Sequence, residues 1–169
     1  QYFPKGFDVV ASLINVYTRR GEEDKAVSLL EEKLEEFKDN KQAGAILNFL
    51  KGELYSSLGK IPEAVRGYEK AIEINPNFLR AYYALADLQF SKNMKNEAIT
   101  KYREVIGIDP KQARSHLMLG VIYETDGQLE AAEKHYREAL KYEPEYALAA
   151  NNLAYILADK NADRSEEHT

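Results

Sequence analysis

Residues 127–144 read GQLEAAEKHYREALKYEP, and within them Glu133, Lys134, His135, Tyr136, Arg137 and Glu138 are consecutive. Carboxylate, ammonium, imidazole and phenol are the groups of general acid–base catalysis, in which a positioned side chain moves a proton in the transition state. That chemistry needs the groups to converge on one point. Neighbours along a helix instead point about 100° apart, so contiguity there scatters them. The element that carries the cluster therefore decides how it is read.

Composition narrows the setting. The chain has 169 residues, the size of one domain, and is 44% hydrophobic and 30% charged. No run of about 18 apolar residues exists, so no membrane-spanning helix is expected. A net charge of −5 and a pI near 5.4 argue against nucleic acid as partner, because phosphate neutralisation needs clustered Lys and Arg. With zero cysteines there is no disulfide framework, thiol nucleophile or Cys-based zinc site. The chain opens on Gln1 without a signal-peptide core and reads as a mature or excised segment. Its compartment stays open between the cytoplasm and a bacterial periplasm or cell envelope.

The chain repeats itself. Pro76, Pro110 and Pro144 lie 34 residues apart, as do Tyr68, Tyr102 and Tyr136, and Ala64, Ala98 and Ala132. Within "IPEAVRGYEKAIEINP", Ile61, Ala64, Val65, Tyr68, Ala71 and Ile72 follow three- and four-residue steps, the apolar face of a helix. Pro62 stands near its start, where a missing N–H costs nothing, and Pro76 beyond its end. The preceding "AILNFLKGELYSSLG" is a second helix, closed by Gly59 as a left-handed cap. Neither helix buries its stripe alone, so neighbouring pairs must stack.

The period and its signature resemble the tetratricopeptide repeat. Residues 113–146 carry Leu119, Gly120, Tyr123, Gly127, Ala132, Tyr136, Ala139 and Pro144, with His116 at an aromatic position. Residues 45–78 keep Gly52, Tyr55, Gly59, Ala64, Tyr68, Ala71 and Pro76, and residues 79–112 keep Tyr82, Leu85, Ala86, Ala98, Tyr102 and Pro110, with Gln89 and Asn93 off-pattern. Residues 7–44 form a degenerate copy, about four residues long through "EEFKDNKQAG", read as a longer second helix or a wider loop. Residues 147–169 are a partial copy with its first helix at 147–160 and a second helix starting near Ser165. Pro4 falls in register as the tail of a preceding repeat over 1–6. The resemblance implies an all-α fold, a right-handed α-α superhelix (solenoid) of stacked antiparallel helix pairs in a single domain over 1–169. The wording of the later repeats is similar to bacterial arrays found in envelope-assembly and secretion proteins.

Set in this frame, the chemical cluster dissolves. Tyr136 takes the slot of Tyr68 and Tyr102 and packs between helices. His135, Arg137 and Glu138 read as its solvated flank, with Lys134–Glu138 as a surface pair four residues apart. Glu31, Glu32, Glu35 and Glu36 form an outer helix face. His116 reads as a packing residue and His168 lies in the tail, so three separated histidines offer no metal constellation. No P-loop, G-x-S-x-G or G-x-G-x-x-G is present. The expectation is a non-catalytic protein without cofactor or metal.

The resemblance further implies that the first helix of each pair lines a concave groove. On this chain that face holds Asn15, Phe49, Leu50, Glu53, Arg80, Tyr83, Asp87, Phe90, Arg114, Leu117, Met118, Val121, Asn152 and Tyr155. Of the Lys, Asn and Arg set by which some relatives capture acidic chaperone tails, only Asn15 and Arg80 stand in place, and Leu50 and Ala84 are apolar where that set is polar. The expectation is an apolar and aromatic groove that holds a peptide or helix of a partner protein. Self-association through exposed repeat ends, and a regulatory interaction domain within a larger protein, are the alternative readings.

Overall fold

The computed structural model describes the backbone of residues 6–166 and the side chains of residues 6–160. Pro4, the tail of a preceding repeat and His168 lie outside the described residues. Within them the chain is helical, running α1 (Phe7–Arg19), α2 (Glu23–Glu36), α3 (Lys41–Ser57), α4 (Ile61–Ile74), α5 (Leu79–Ser91), α6 (Lys95–Ile108), α7 (Ala113–Thr125), α8 (Leu129–Tyr142) and α9 (Ala147–Glu166). Two compact units result, Gln1–Lys92 with α1 to α5 and Asn93–Thr169 with α6 to α9.

Local chemistry explains the breaks. Gly21, Gly59 and Gly127 close α1, α3 and α7 with the same positive φ of 71°, a conformation that glycine adopts without the steric cost a Cβ would bring. Asn93 holds the corresponding turn after α5 at φ 60°, a region Asn tolerates better than most residues. The irregular copy resolves differently from either sequence expectation. The extra residues neither lengthen α2, which ends at Glu36, nor widen a loop; Lys41–Gly44 become the first turn of α3. Asn40 makes this work by accepting the Ala43 N–H at 3.0 Å, satisfying a donor that a helix start otherwise leaves unpaired. At the other end, α9 continues through Ser165 to Glu166, where a second helix had been expected to begin.

Each unit has a core of the repeat residues. In the first, α3 and α4 cross closely, because a Cβ added at Gly67 would lie 2.6 Å from the Gly52 backbone nitrogen. Tyr68 packs over this crossing, 2% exposed, with Leu47, Phe49 and Leu54 beside it. In the second unit, Leu119 and Ile122 of α7, Tyr136 of α8 and Ile156 of α9 are buried, and α7 packs against both α6 and α8. Burying each such side chain contributes about 1.5–3 kcal/mol gross, so packing between pairs outweighs helix propensity in deciding the fold.

Candidate functional site

In the first unit, α1, α3 and α5 bring Asn15, Phe49, Leu50, Glu53 and Arg80 together around a cleft of about 220 Å³, shared with Thr18 and Ser57. Five residues of the expected groove therefore share one site. The cleft is less apolar than its sequence implied. Phe49 and Leu50 are 2% and 5% exposed and form its floor. Phe49 sits 5.7 Å from the Tyr68 ring and 5.4 Å from the Phe78 ring, and the Arg80 guanidinium lies 5.1 Å above its face. Phe49 is thus a core residue with a cation–π cover. Truncating it would remove packing worth about 3–5 kcal/mol, so it cannot serve as a neutral test of binding. Exposed Asn15 and Glu53 form the rim. Tyr83, Asp87 and Phe90 are half-buried on α5 and do not line this cleft.

In the second unit, Arg114 and Tyr155 are exposed, Met118, Val121 and Asn152 half-buried, and Leu117 buried at 4% exposure. Leu117 contributes to packing and not to a presented surface. Asn152 has a defined role, donating from Nδ2 to the Tyr136 hydroxyl at 3.2 Å. That hydroxyl donates in turn to Glu124 at 2.5 Å, joining α7, α8 and α9 at one point. Tyr68 does the equivalent in the first unit, donating to Glu53 at 2.9 Å. The repeated tyrosine is therefore an apolar body in the core whose polar tip holds a first-helix carboxylate. Burial, followed by the adjacent carboxylate, pushes both phenols well above their ordinary pKa.

The cluster at 133–138 faces several ways. Glu133 pairs with Arg137 at 2.9 Å and with Lys160 at 2.9 Å. Glu138 pairs with Lys141 at 3.0 Å, one helical turn on, in place of the expected Lys134. His135 corrects the sequence reading most: it is half-buried, not solvated, and its Nδ1 lies 3.3 Å from Nδ1 of His116. Its ring stacks on Tyr123 at 5.5 Å, while His116 Nε2 stands 3.3 Å from the Pro110 carbonyl. The two histidines that seemed remote are hydrogen-bond neighbours because α7 and α8 are paired in antiparallel fashion. Burial first, then His116, Lys134 and Arg103, depress the His135 pKa to about 4. Among the described residues no group of three or more His, Asp or Glu could hold a metal ion, and no helix is long and apolar enough to cross a membrane.

A larger hollow, about 540 Å³, lies on α3 and α4 between Lys51, Tyr55, Arg66, Lys70 and their acidic neighbours. Its charges neutralise one another, Arg66 with Glu63 at 3.2 Å and Lys70 with Glu73 at 2.7 Å. That leaves no concentrated field of one sign to select a charged ligand.

Comparison with known proteins agrees with this geometry. Residues 52–93 match the TPR repeat, and residues 79–112 and 113–146 each match the tetratricopeptide repeat. A TPR repeat-containing protein of Methanocaldococcus jannaschii is 52% identical over 33 residues, 20% of this chain and 10% of that protein's length. Among solved structures, the crystal structure of MamA is similar with a TM-score of 0.68 at 19% identity, over 95% of this chain and 87% of that one. MamA from Desulfovibrio magneticus gives 0.68 at 20% identity, over 99% and 92%. The first TPR of Spaghetti, bound to an HSP90 peptide, gives 0.62 at 23% identity, over 69% and 93%. At these identities the likeness speaks to fold, an all-α solenoid of antiparallel helix pairs. The matched repeats, their turn glycines and their buried tyrosines together settle the family: this chain belongs to the tetratricopeptide repeat proteins.

Proposed function

We propose that the chain is a non-catalytic scaffold for protein–protein interaction that holds a partner's peptide or helix against the inner face of its first helices. The observation that carries this reading is the cleft over Phe49 and Leu50, where Asn15, Thr18, Glu53, Ser57 and Arg80 converge from three helices. An amide, two hydroxyls, a carboxylate and a guanidinium around an apolar floor match what an extended or helical peptide offers, alternating main-chain polar groups with side chains. The rim makes the ligand mixed in character where an apolar one had been expected. The solved TPR that holds an HSP90 peptide supports a peptide-holding role for the fold. Neither family nor fold brings a catalytic constellation with it, and the acid–base residues of 133–138 are held in ion pairs and helix packing.

Affinity capture with matched variants tests the proposal. Asn15→Lys with Thr18→Lys crowds the cleft from one side of α1, while Glu32→Lys places the same charge change on the outer face of α2. Loss of a captured protein with the first variant and retention with the second is expected, with helicity unchanged in both. Equal capture by all three proteins would sink the cleft as the binding site.

A further inference from the structure

Donors and acceptors are not balanced along the first unit's cleft. Thr18 donates its hydroxyl proton to the Ile14 carbonyl at 2.8 Å, and Ser57 donates its own to the Leu54 carbonyl at 2.7 Å. Each proton is spent within its own helix, and each oxygen keeps lone pairs to offer. Glu53 when ionised is an acceptor only. The Tyr68 hydroxyl, donating at 2.9 Å, holds that carboxylate in place and uses one of its several lone-pair sites. The side-chain donors left on the lining are Asn15 and Arg80.

Arg80 stands apart from the acceptors. Its guanidinium covers the Phe49 ring at 5.1 Å, whereas Ser57 lies about two turns further along α3, about 12 Å at the usual rise. Glu53 and Ser57, four residues apart, share one helix face, and Thr18 meets them from α1. Thr18 is in the last turn of α1 and Ser57 is the last residue of α3. Two helices therefore end here, where their dipoles leave partial negative charge. Arg19 and Arg20 follow on α1 and do not line the cleft. Buried Ile14, Leu50 and Leu54 supply the apolar wall between the two ends. At about 220 Å³ the cleft is smaller than the ~300–1,000 Å³ of ordinary small-molecule pockets, and suits one long side chain.

We propose that the partner segment held by this cleft enters it with a basic side chain, lysine or arginine. The aliphatic stem lies along Ile14, Leu50 and Leu54, and the cation meets Glu53, Thr18 and Ser57. Such a side chain is apolar along its length and rich in donors at its tip, which is the order in which the cleft presents its walls. The inference rests on the cleft reading given above and adds the chemical class of the residue that anchors the partner.

A random peptide library displayed on phage and selected on the whole chain tests it. Lysine or arginine should be enriched at one position of the selected family. Asn15→Trp fills the cleft without adding charge and should abolish selection of that family. The leading peptide, labelled and followed by anisotropy, should bind Glu53→Gln about threefold to tenfold more weakly. Its analogue with norleucine for the lysine, or citrulline for the arginine, should lose as much against the unaltered chain and nothing further against Glu53→Gln. Glutamine can still accept the Tyr68 proton, and circular dichroism checks that both variants keep their helicity. A family that depends on Asn15 but shows no enriched basic residue overturns the inference and leaves the cleft reading standing. A basic peptide indifferent to Glu53→Gln also overturns it. If no selected family is lost with Asn15→Trp, the cleft reading and the inference fall together.

Discussion

His135 illustrates how a single side chain depends on its neighbours. Its ring is packed on Tyr123, next to His116 and near Lys134 and Arg103, with Glu138 the one nearby group that favours the charged form. A folded pKa of about 4, below the ordinary 6.5, means that the unfolded chain binds the extra proton more readily. The stabilisation from neutral His135 is therefore fully present above pH 6.5 and is lost as pH falls from 6.5 towards 4. Unfolding free energy should fall across that window by on the order of 1–2 kcal/mol once residual screening is allowed for, as read by urea titration at each pH. His135→Phe should flatten that part of the profile, and an unchanged slope would show that other groups set it. Sequence spacing could not expose this pair, because residues 19 apart meet only when α7 and α8 fold back on one another.

At the scale of elements, the α3–α4 pair is set by two missing side chains. A Cβ on Gly67 would meet the Gly52 nitrogen at 2.6 Å and its Cα at 2.7 Å, both backbone atoms that cannot rotate away. Gly67→Ala should therefore force the helices apart and destabilise the protein by about 1–3 kcal/mol, despite alanine's better helix propensity. Gly107, on α6 with nothing near its Cβ position, is the internal control. There the same change should be neutral or stabilising, by up to about 1 kcal/mol. Urea titration of the two variants decides it; equal effects would refute the close crossing. The glycine at 52 was legible as part of the repeat signature, whereas Gly67 carries no such mark and its role appears only in the packed pair. The four-residue irregularity was likewise visible in sequence, but not its placement. Asn40 had to cap α3 before Lys41–Gly44 could be assigned to it.

At the scale of the whole molecule, charge is abundant and yet secondary. Many of the ion pairs are exposed, such as Lys38–Glu35 with side chains 62% and 75% accessible. Pairs of this kind are worth only about 0–1 kcal/mol each and are screened by salt. Raising sodium chloride from about 0.05 to 0.5 M should shift the melting temperature by less than roughly 3 °C. A fall of about 10 °C would mean that ionic networks, not apolar stacking, hold the chain together. What the sequence determined by itself was the helix-pair period, the turn residues that punctuate it and the small and aromatic positions that pack. These are properties of spacing along the chain, and 3.6 residues per turn converts them directly into faces. Tertiary structure alone decided which of those inward-facing residues a partner can reach. Phe49, Leu50 and Leu117 went to the core, while Asn15, Glu53 and Arg80 stayed at the rim of the cleft and Tyr155 stayed exposed. Burial is set by the helices packed alongside, and periodicity within one helix carries no record of them.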